Sequence, residues 1–329
     1  MRLSFKLSVT LFILCFCGAT SHINAQEKNS FLHRIDQKLT ERYHNSDIDT
    51  AYVIKPTTKW TIIGRLNISG AQIKSQGVEN GLYFQSEMTA DYKSTLSLGV
   101  SYLGLSLNLA LNPAKLMGKY SDFEFNVNAY GKRFGIDLIY QDAHNFKGWH
   151  KTDGEERIEL PSDLLKLKTL NLNTYYVFNH RRFSYPAAFT QSCIQRRSAG
   201  SFMIALSGQG QKGTVSDEHE TVFKMTNIGI GAGYGYNYVP HRGWLIHISA
   251  LPTFIVYSKT SFSIDGTKIP MHYHFPEVII TSRGAVVRQM GNKFAGLSMV
   301  FNFTNIGDEK NLEVRNTKWR VRAFFGLRL

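Results

Sequence analysis

Apolar and polar residues alternate along most of the chain from Trp60 onward, with the period of two that is typical of β-strands. The segments STLSLGVSY and LSLNLALNP, for example, place leucine and valine on one face and serine, asparagine and glycine on the other. Strands of this length suit a tilted membrane crossing. The pattern predicts about twelve strands, and they lie near residues 60–70, 81–91, 94–102, 105–113, 122–131, 133–142, 168–179, 201–209, 223–238, 243–258, 293–304 and 313–329.

The two faces of these strands favour one all-β architecture. One face is strongly apolar, whereas the other carries Asn, Ser, Glu, Arg and Gly. An apolar exterior around a hydrated or plugged interior is typical of a single antiparallel transmembrane β-barrel, whose closure leaves no unpaired edge in lipid. A soluble β-sandwich can show the same alternation and remains the alternative.

The connections between the strands indicate an error in this assignment. Where both termini of a barrel lie on the periplasmic side, long loops follow odd-numbered strands. Here the long connections 143–166 and 258–292 follow even-numbered ones. We therefore expect a missed or misplaced strand, either near 49–55 or within 258–292.

The N-terminal residues show other patterns. Arg2 and Lys6 flank the start of a short apolar run, and Ala25 then supplies a small residue before Gln26, which predicts a secretory signal peptide cleaved near Ala25; a retained membrane anchor is the alternative. Residues 30–44 repeat apolar residues at helical spacing, which predicts a short amphipathic helix, with a membrane-surface or partner-binding role as the functional alternative. The predicted segments are therefore a signal peptide (1–25), a periplasmic helix and linker (26–56) and a β-barrel (57–329).

The composition agrees with an exported protein. The chain carries a formal net charge of +13 and three cysteines, of which Cys193 alone follows the predicted signal peptide. An exported chain without an internal disulfide must be held together by its sheet or core. After Ala25 no stretch approaches 18 consecutive apolar residues, so no transmembrane helix is predicted.

A glycine-rich strand is the most informative wall of the predicted barrel. In NIGIGAGYGYNYVP, isoleucines and tyrosines share one face, and Gly229, Gly231, Gly233 and Gly235 share the other. A glycine inside a strand costs about 0.5–1 kcal/mol, so this row implies a close approach by something bulky. An inward-folded loop is one explanation, and bending of a tight barrel wall is the other.

Residues 182–202, RFSYPAAFTQSCIQRRSAGSF, are neither alternating nor helical. A segment of this length without its own periodicity inside a compact fold is usually functional or mobile. Its Phe, Tyr and Ala residues indicate packing rather than a flexible tip. We expect it to pack against the barrel, on the glycine-rich strand, with Arg196 and Arg197 near the mouth; a purely structural loop is the alternative.

Two pairs of residues are candidates for chemistry. His247 and Ser249 lie two residues apart on one strand face, as a base and a nucleophile of an outer-membrane acyl hydrolase could, but no third group that orients the histidine is evident. His272 and His274 form a metal-like pair without a third ligand nearby. Both signals are weak, and we predict no catalytic residue, no metal and no cofactor.

The basic residues bear on the barrel interior. If the apolar faces meet lipid, Arg65, Arg320, Arg322 and Arg328 point into the lumen. Cationic lumens favour anionic solutes, and basic rims can bind lipopolysaccharide phosphates. A charged lumen without a selective role is the alternative. Nucleic acid is a poor candidate partner for an exported chain that lacks a basic helix or a stacking platform.

Three segments carry a resemblance to a known family: FSYPAAFTQSCIQRRSAGSF, GYGYNYVPHRGWLIHISALPTF and AYVIKP. They resemble a domain-of-unknown-function family (number 4421) of exported Gram-negative proteins of similar length, over almost all of the mature chain. The resemblance implies one barrel-like domain and no transferable activity or catalytic residue. Its more specific positions are Phe183, Ser184, Tyr185, Gln195, Ser198, Gly200 and Ser201.

The final segment, KWRVRAFFGLRL, alternates to the last residue. It resembles the signal that the outer-membrane assembly machinery reads, although such signals usually end in an aromatic residue and this chain ends in Leu329. We therefore predict a non-enzymatic barrel of the outer membrane, in contact with lipid and lipopolysaccharide, that acts as a small channel or a plugged scaffold. A lipid-modifying hydrolase that uses His247 and Ser249 and a soluble periplasmic β-protein are the alternatives.

Overall fold

The computed structural model describes residues 34, 37, 40, 41, 43, 47–79, 81–102, 105–111, 123–144, 146–162, 164–216, 220–264, 266–269, 277–308 and 312–329. The chain forms two compact units, Met1–Asp47 and Ile48–Leu329. In the first unit, the described residues of the predicted helix 30–44 are helical. The predicted signal peptide lies outside the described residues. Among the residues that are described, no helix is long and apolar enough to cross a membrane.

The second unit is dominated by antiparallel strands, with one short described helix, α1, at Tyr185–Phe189. The strands are β1 Val53–Ile54, β2 Trp60–Glu79, β3 Leu82–Ala90, β4 Lys93–Tyr102, β5 Leu105–Leu111, β6 Phe123–Tyr130, β7 Phe134–Ala143, β8 Phe146–Thr152, β9 Ile158–Leu160, β10 Leu165–Val177, β11 Ile194–Gln195, β12 Ala199–Ser216, β13 Glu220–Tyr238, β14 Trp244–Ile264, β15 Thr267–Ile269, β16 Val278–Met290, β17 Lys293–Asp308 and β18 Leu312–Arg328.

The main sheet curls into a barrel. β18 pairs with β2, which joins the last strand to the first strand of the barrel, and β2 pairs in succession with β3 and β4. β3 also pairs with β8, and β8 follows β7 in the chain, so the chain between β7 and β8 links the two ends of the curled sheet. The Trp60 N–H donates to the Leu329 carbonyl at 3.1 Å, and both chain ends of the barrel therefore lie at one rim, called the terminal rim below.

The wall differs between the two ends of the barrel. Toward the terminal rim, β4 pairs with β5 and β6 pairs with β7, so the β5 and β6 strands widen the wall to twelve strands. Toward the other end, β3 pairs directly with β8, so β5 and β6 are not part of the wall there. An apolar cluster lines the interior in this narrower part; its buried members are Ala71, Ala90, Ala143, Phe146, Leu165 and Leu167.

The outer face of the sheet is apolar and the inner face is largely polar. Leu98 and Ile248 point outward and are 57% and 68% exposed, whereas their inward neighbours Ser97 and Ser249 are 7% and 2% exposed. An exterior of this kind is stable in lipid and not in water, because it leaves large apolar side chains uncovered. The fold is therefore a transmembrane β-barrel of the outer-membrane type, as predicted.

The predicted number of strands is confirmed, although two assignments differ. The segments 81–91 and 94–102 correspond to β3 and β4. These two strands pair with different halves of β2 and therefore occupy one position in the barrel. The strand that the sequence pattern missed is β16, which lies within 258–292. The other expected location, 49–55, contains β1, which pairs with β11 outside the barrel sheet. Connection 143–166 contains β8 and β9 and is therefore not one long loop.

Candidate functional site

The connection between β10 and β12, residues 178–198, folds into the barrel and is called the plug below. α1 forms within it because Pro186 suits a first helical turn and the Ser184 hydroxyl caps that turn, accepting from the Ala187 N–H at 3.2 Å. All the residues of α1 are buried. β11, at the other end of the plug, pairs with β1, so a segment that precedes the barrel also holds the plug in place.

Aromatic side chains pack the plug against the inner wall. Phe183 and Tyr185 are fully buried. The Tyr185 ring stacks on Phe189 with centroids 5.3 Å apart, and it meets the His247 ring edge-on at 5.0 Å. The wall contributes further apolar side chains to this cluster, which include Ile63, Tyr175, Val177, Leu245, Leu251, Ala285, Val287, Phe294 and Phe324.

A chain of buried polar side chains joins the wall to the plug. The Asn237 Oδ1 atom lies 2.7 Å from His247 Nδ1, and His247 Nε2 lies 3.0 Å from Ser249 Oγ. Because an amide oxygen only accepts, Nδ1 carries the proton and Nε2 accepts the serine hydroxyl. The Ser249 hydroxyl is also 2.7 Å from the Tyr185 hydroxyl on the plug.

The Asn237 amide nitrogen fixes the plug backbone. It donates to the Ser184 carbonyl and to Gln195 Oε1, both at 2.9 Å. Gln195 Oε1 also accepts from the Ser184 N–H at 3.0 Å, and its amide nitrogen donates to the Arg182 carbonyl at 2.6 Å. One wall asparagine therefore holds both sides of α1.

A buried ion pair lies where the plug meets the open lumen. Arg283 pairs with Asp137 and donates to the Tyr185 hydroxyl at 3.4 Å. Asp137 also accepts from the Tyr130 hydroxyl at 2.6 Å. Both charged side chains are about 5% exposed or less. Such a pair depends on partners for its remaining polar atoms; the two tyrosines supply one to each charged group, whereas Arg283 Nε has no hydrogen-bond partner among the described residues.

The plug contacts the terminal rim. Arg328, one residue before the end of the chain, donates to the Gln191 carbonyl of the plug at 3.2 Å and to Gln289 Oε1 at 2.7 Å. Gln289 in turn donates to Gln191 Oε1 at 2.8 Å. The last strand of the barrel, β18, therefore contacts the plug through hydrogen bonds of its Arg328 side chain.

The glycine-rich strand is β13, and its glycines have two different neighbours. A Cβ atom at Gly235 would lie 2.9 Å from the Phe183 ring, so this glycine makes room for the plug. At Gly231 and Gly233 the nearest atoms are backbone oxygens of β14, at 2.4 and 2.1 Å. At Gly229 a Cβ atom would be 2.8 Å from a threonine methyl group of the same strand. Plug packing and close strand approach therefore both account for the row.

A polar cavity lies on the lumen side of the plug. It contains ≈ 1390 Å³ of empty space, including open solvent, and Phe189 and the ion pair of Arg283 and Asp137 border it. The cations in its lining are Lys93, Arg283, Lys318, Arg320 and Arg322, and its acids are Asp91 and Asp137. The described lining therefore has a net charge of +3.

The other predicted residues lie in several places. Arg65 and Arg328 point inward and are buried, and the Arg322 guanidinium donates to Asn67 Oδ1 at 2.7 Å. Arg196 and Arg197 are exposed at the plug surface. His272 and His274 lie outside the described residues, among which no three His, Cys, Asp or Glu side chains form a metal-like group.

The family-like residues lie in and beside the plug. Phe183, Ser184, Tyr185 and Gln195 form its interior, as described above. Ser198 accepts from the Val239 N–H at 2.9 Å, and Ser201 accepts from the Asn179 N–H at 2.9 Å. Gly200 follows at the start of β12, where its carbonyl accepts from the Asn179 side chain at 2.8 Å.

The sequence interpretation missed Asn237, Arg283, Asp137 and Tyr130. Asn237 was visible as the polar residue that ends the inward glycine row, but its role depends on the register with β14. The other three lie on three different strands, and no spacing in the sequence connects them. The sequence did identify His247 and Ser249 as neighbours on one strand face, and their side chains are in contact.

Comparison with known proteins places the chain in a family. Residues 47–328 match the family described as Domain of unknown function (DUF4421), so the chain belongs to it. No curated protein matches.

Similar solved structures include the outer membrane protease OmpT from Escherichia coli (8% identity, 82% of this chain and 97% of that chain, TM-score 0.41). Others are the outer membrane protein OprG from Pseudomonas aeruginosa (12%, 83% and 96%, 0.28) and the toluene transporter TodX from Pseudomonas putida (8%, 83% and 91%, 0.27). Similarity at this level carries no argument about function.

Proposed function

We propose that this member of the family is a non-enzymatic outer-membrane β-barrel whose plug closes the terminal rim, and whose cationic lumen takes up anionic solutes. The observation that supports closure is the continuous buried chain from Asn237 through His247 and Ser249 to Tyr185. Asn237, His247 and Ser249 belong to the wall, and Tyr185 belongs to the plug. A barrel that conducts at rest does not need a buried hydrogen-bonded chain that holds the plug to the wall.

The energetics also favour a closed resting state. Moving the plug out would expose Phe183, Tyr185 and their wall partners to water, at about 1.5–3 kcal/mol for each fully buried apolar side chain. It would also leave Arg283 and Asn237 without plug partners. Buried polar groups without partners cost about 1–3 kcal/mol each.

Planar-bilayer recording tests this proposal. The wild-type barrel should show almost no conductance, whereas a variant with residues 183–197 replaced by a Gly-Ser linker should conduct and prefer anions. Asn179 stays in place in this variant, so its contacts to Ser201 and Gly200 can hold the ends of β10 and β12 together. A heat-modifiability gel serves as the control for folding. Wild-type conductance equal to that of the variant would contradict the closed barrel.

A hydrolase is the second candidate, because Asn237, His247 and Ser249 form the base-and-nucleophile arrangement with its orienting group. Two features oppose it. Ser249 is 2% exposed, and its hydroxyl is bonded to Tyr185. Phospholipid hydrolysis by the wild-type barrel that disappears in Ser249→Ala would support the hydrolase, and absence of hydrolysis in both would support the non-enzymatic proposal.

A further inference from the structure

We propose that the lumen cavity binds a small polyhydroxylated phosphate ester, of the sugar phosphate class. This inference rests on the proposed function and names the anion. It follows from the two facing walls of the cavity, one cationic and one rich in side-chain amides, and from the aromatic floor that Tyr130 of β6 and Phe189 of the plug provide.

The cationic wall is formed by β18, β2 and β4. Lys318, Arg320 and Arg322 follow one another on the inner face of β18, so their Cα atoms are about 7 Å apart in steps of two residues. Ser69 of β2 lies opposite Arg320 and also opposite Lys93 of β4. Arg320 and Lys93 are therefore two strands apart, about 10 Å, with only a serine between them.

Long side chains from these positions can converge on one anion. Arginine binds phosphate through paired N–H donors, and a doubly charged phosphate matches several cations better than a single carboxylate does. Each acid of the described lining is paired with a cation that is not part of this row. Asp137 is paired with Arg283, and Asp91 is paired with Lys147 at 2.9 Å.

The facing wall offers neutral hydrogen-bonding groups. Its inner face on β7, β10 and β12 contributes Gln141, Asn171, Asn173 and Gln209 to the cavity. Asn171 and Gln209 are directly opposed in the sheet, and the Gln209 Oε1 atom is buried without a hydrogen-bond partner among the described residues. Amides both donate and accept, which suits vicinal hydroxyl groups.

The two walls are close enough for one small molecule to touch both. Lys318 Nζ, from the cationic wall, lies 3.5 Å from Thr169 Oγ1, which is on the same strand as Asn171. At the plug end of the cavity, Tyr130 of β6 and Phe189 of the plug present aromatic surface. An anionic group on the cationic wall therefore leaves the rest of a ligand over the rings and within reach of the amides.

Isothermal titration of the folded barrel in detergent micelles tests the inference. The probes are glucose 6-phosphate, glucose, inorganic phosphate and glucuronate. Glucose 6-phosphate should bind at least about tenfold more tightly than any of the other three, because it alone has both a dianionic phosphate and a row of hydroxyls.

Two substitutions locate the site. Arg320→Gln and Gln209→Ala should each weaken glucose 6-phosphate binding by about tenfold, whereas Lys166→Gln, on the exposed outer face of β10, should leave it unchanged. Equal binding of phosphate or glucuronate, no measurable binding, or no effect of either lumen substitution would overturn the inference. If the ligand inference fails but the wild-type barrel in the same preparation shows no conductance in planar bilayers, the closed-barrel proposal still stands.

Discussion

Replacing Asn237 with alanine should loosen the plug and leave the barrel folded. The Asn237 side chain makes three buried hydrogen bonds, to Ser184, Gln195 and His247, at 2.7–2.9 Å. A net contribution of about 1 kcal/mol for each bond gives a loss of about 3 kcal/mol, and partners left unsatisfied add to it. This corresponds to about a hundredfold shift in the equilibrium between the docked and released plug.

Cys193 provides the assay. It is buried in the plug and is the only cysteine after the predicted signal peptide. Burial raises the pKa of the Cys193 thiol above its ordinary value of 9.0, so the docked plug keeps it both inaccessible and protonated. Maleimide labelling of barrels refolded from residues 26–329 should therefore report plug release, with a rate about a hundredfold higher in Asn237→Ala.

The pH dependence of this assay has a defined sign. Because the pKa of Cys193 is raised in the folded state, the thiol contributes its full stability below its ordinary pKa of 9.0, and that contribution is lost as the pH rises through the folded-state value. Labelling should accordingly accelerate with pH in both proteins, most steeply as the pH approaches and passes 9.0.

Asn173→Ala is the matched control, since Asn173 faces the cavity on β10 rather than the plug. It should label at the wild-type rate, and a heat-modifiability gel should show all three barrels folded. If the Asn237→Ala barrel labels within about twofold of wild type, as expected for an ordinary surface change, Asn237 does not anchor the plug.

Other changes probe the plug contact, the ion pair and the last strand. Gly235→Val should force the plug outward at about 1–3 kcal/mol and speed cysteine labelling, whereas Gly210→Val, with no atom within 4 Å of the added Cβ, should not; equal rates would contradict the contact. Asp137→Asn should destabilise the barrel by about 3–5 kcal/mol, seen as a lower unfolding temperature on the gel. Adding Arg283→Met should restore most of the lost stability, and an unchanged unfolding temperature in Asp137→Asn would contradict a role for the pair. Deletion of residues 318–329 removes most of the strand that pairs with β17 and β2 and should block assembly; an inserted, heat-modifiable deletion product would disprove this.

The alternation of apolar and polar residues predicted the barrel because lipid and lumen impose opposite polarity on the two faces of each strand. It failed at β16, VIITSRGAVVRQM, because neither face of this strand is uniform. Ala285 and Val287 point inward against the plug, whereas Ser282 and Gly284 lie on the outer face. Where the lumen contains protein rather than water, the inner face no longer needs polar residues, and the period of two becomes weak.

The candidate site was only partly predictable for a related reason. His247 and Ser249 are neighbours along one strand, so the period of a strand is enough to bring them together. Asn237 lies opposite His247 only in the observed register of β13 and β14, which contains a shift at Ile228 and Gly229. The contact of Arg283 with Asp137 crosses from β16 to β7, and depends on how the whole barrel closes.

The inner faces of the strands carry more apolar side chains near the terminal rim than along the cavity, and this difference indicates the plug. On β10 the inward residues run from Thr169 through two asparagines to Tyr175 and Val177, and on β18 Phe324 follows the inward Arg320 and Arg322. The apolar side chains that line this end of the wall need an apolar partner inside as well as lipid outside. Water alone cannot fill that end of the lumen at low free energy. A ligand in the cavity could release the plug only by binding the open state more tightly than the closed one, by enough to offset the exposure of this apolar ring.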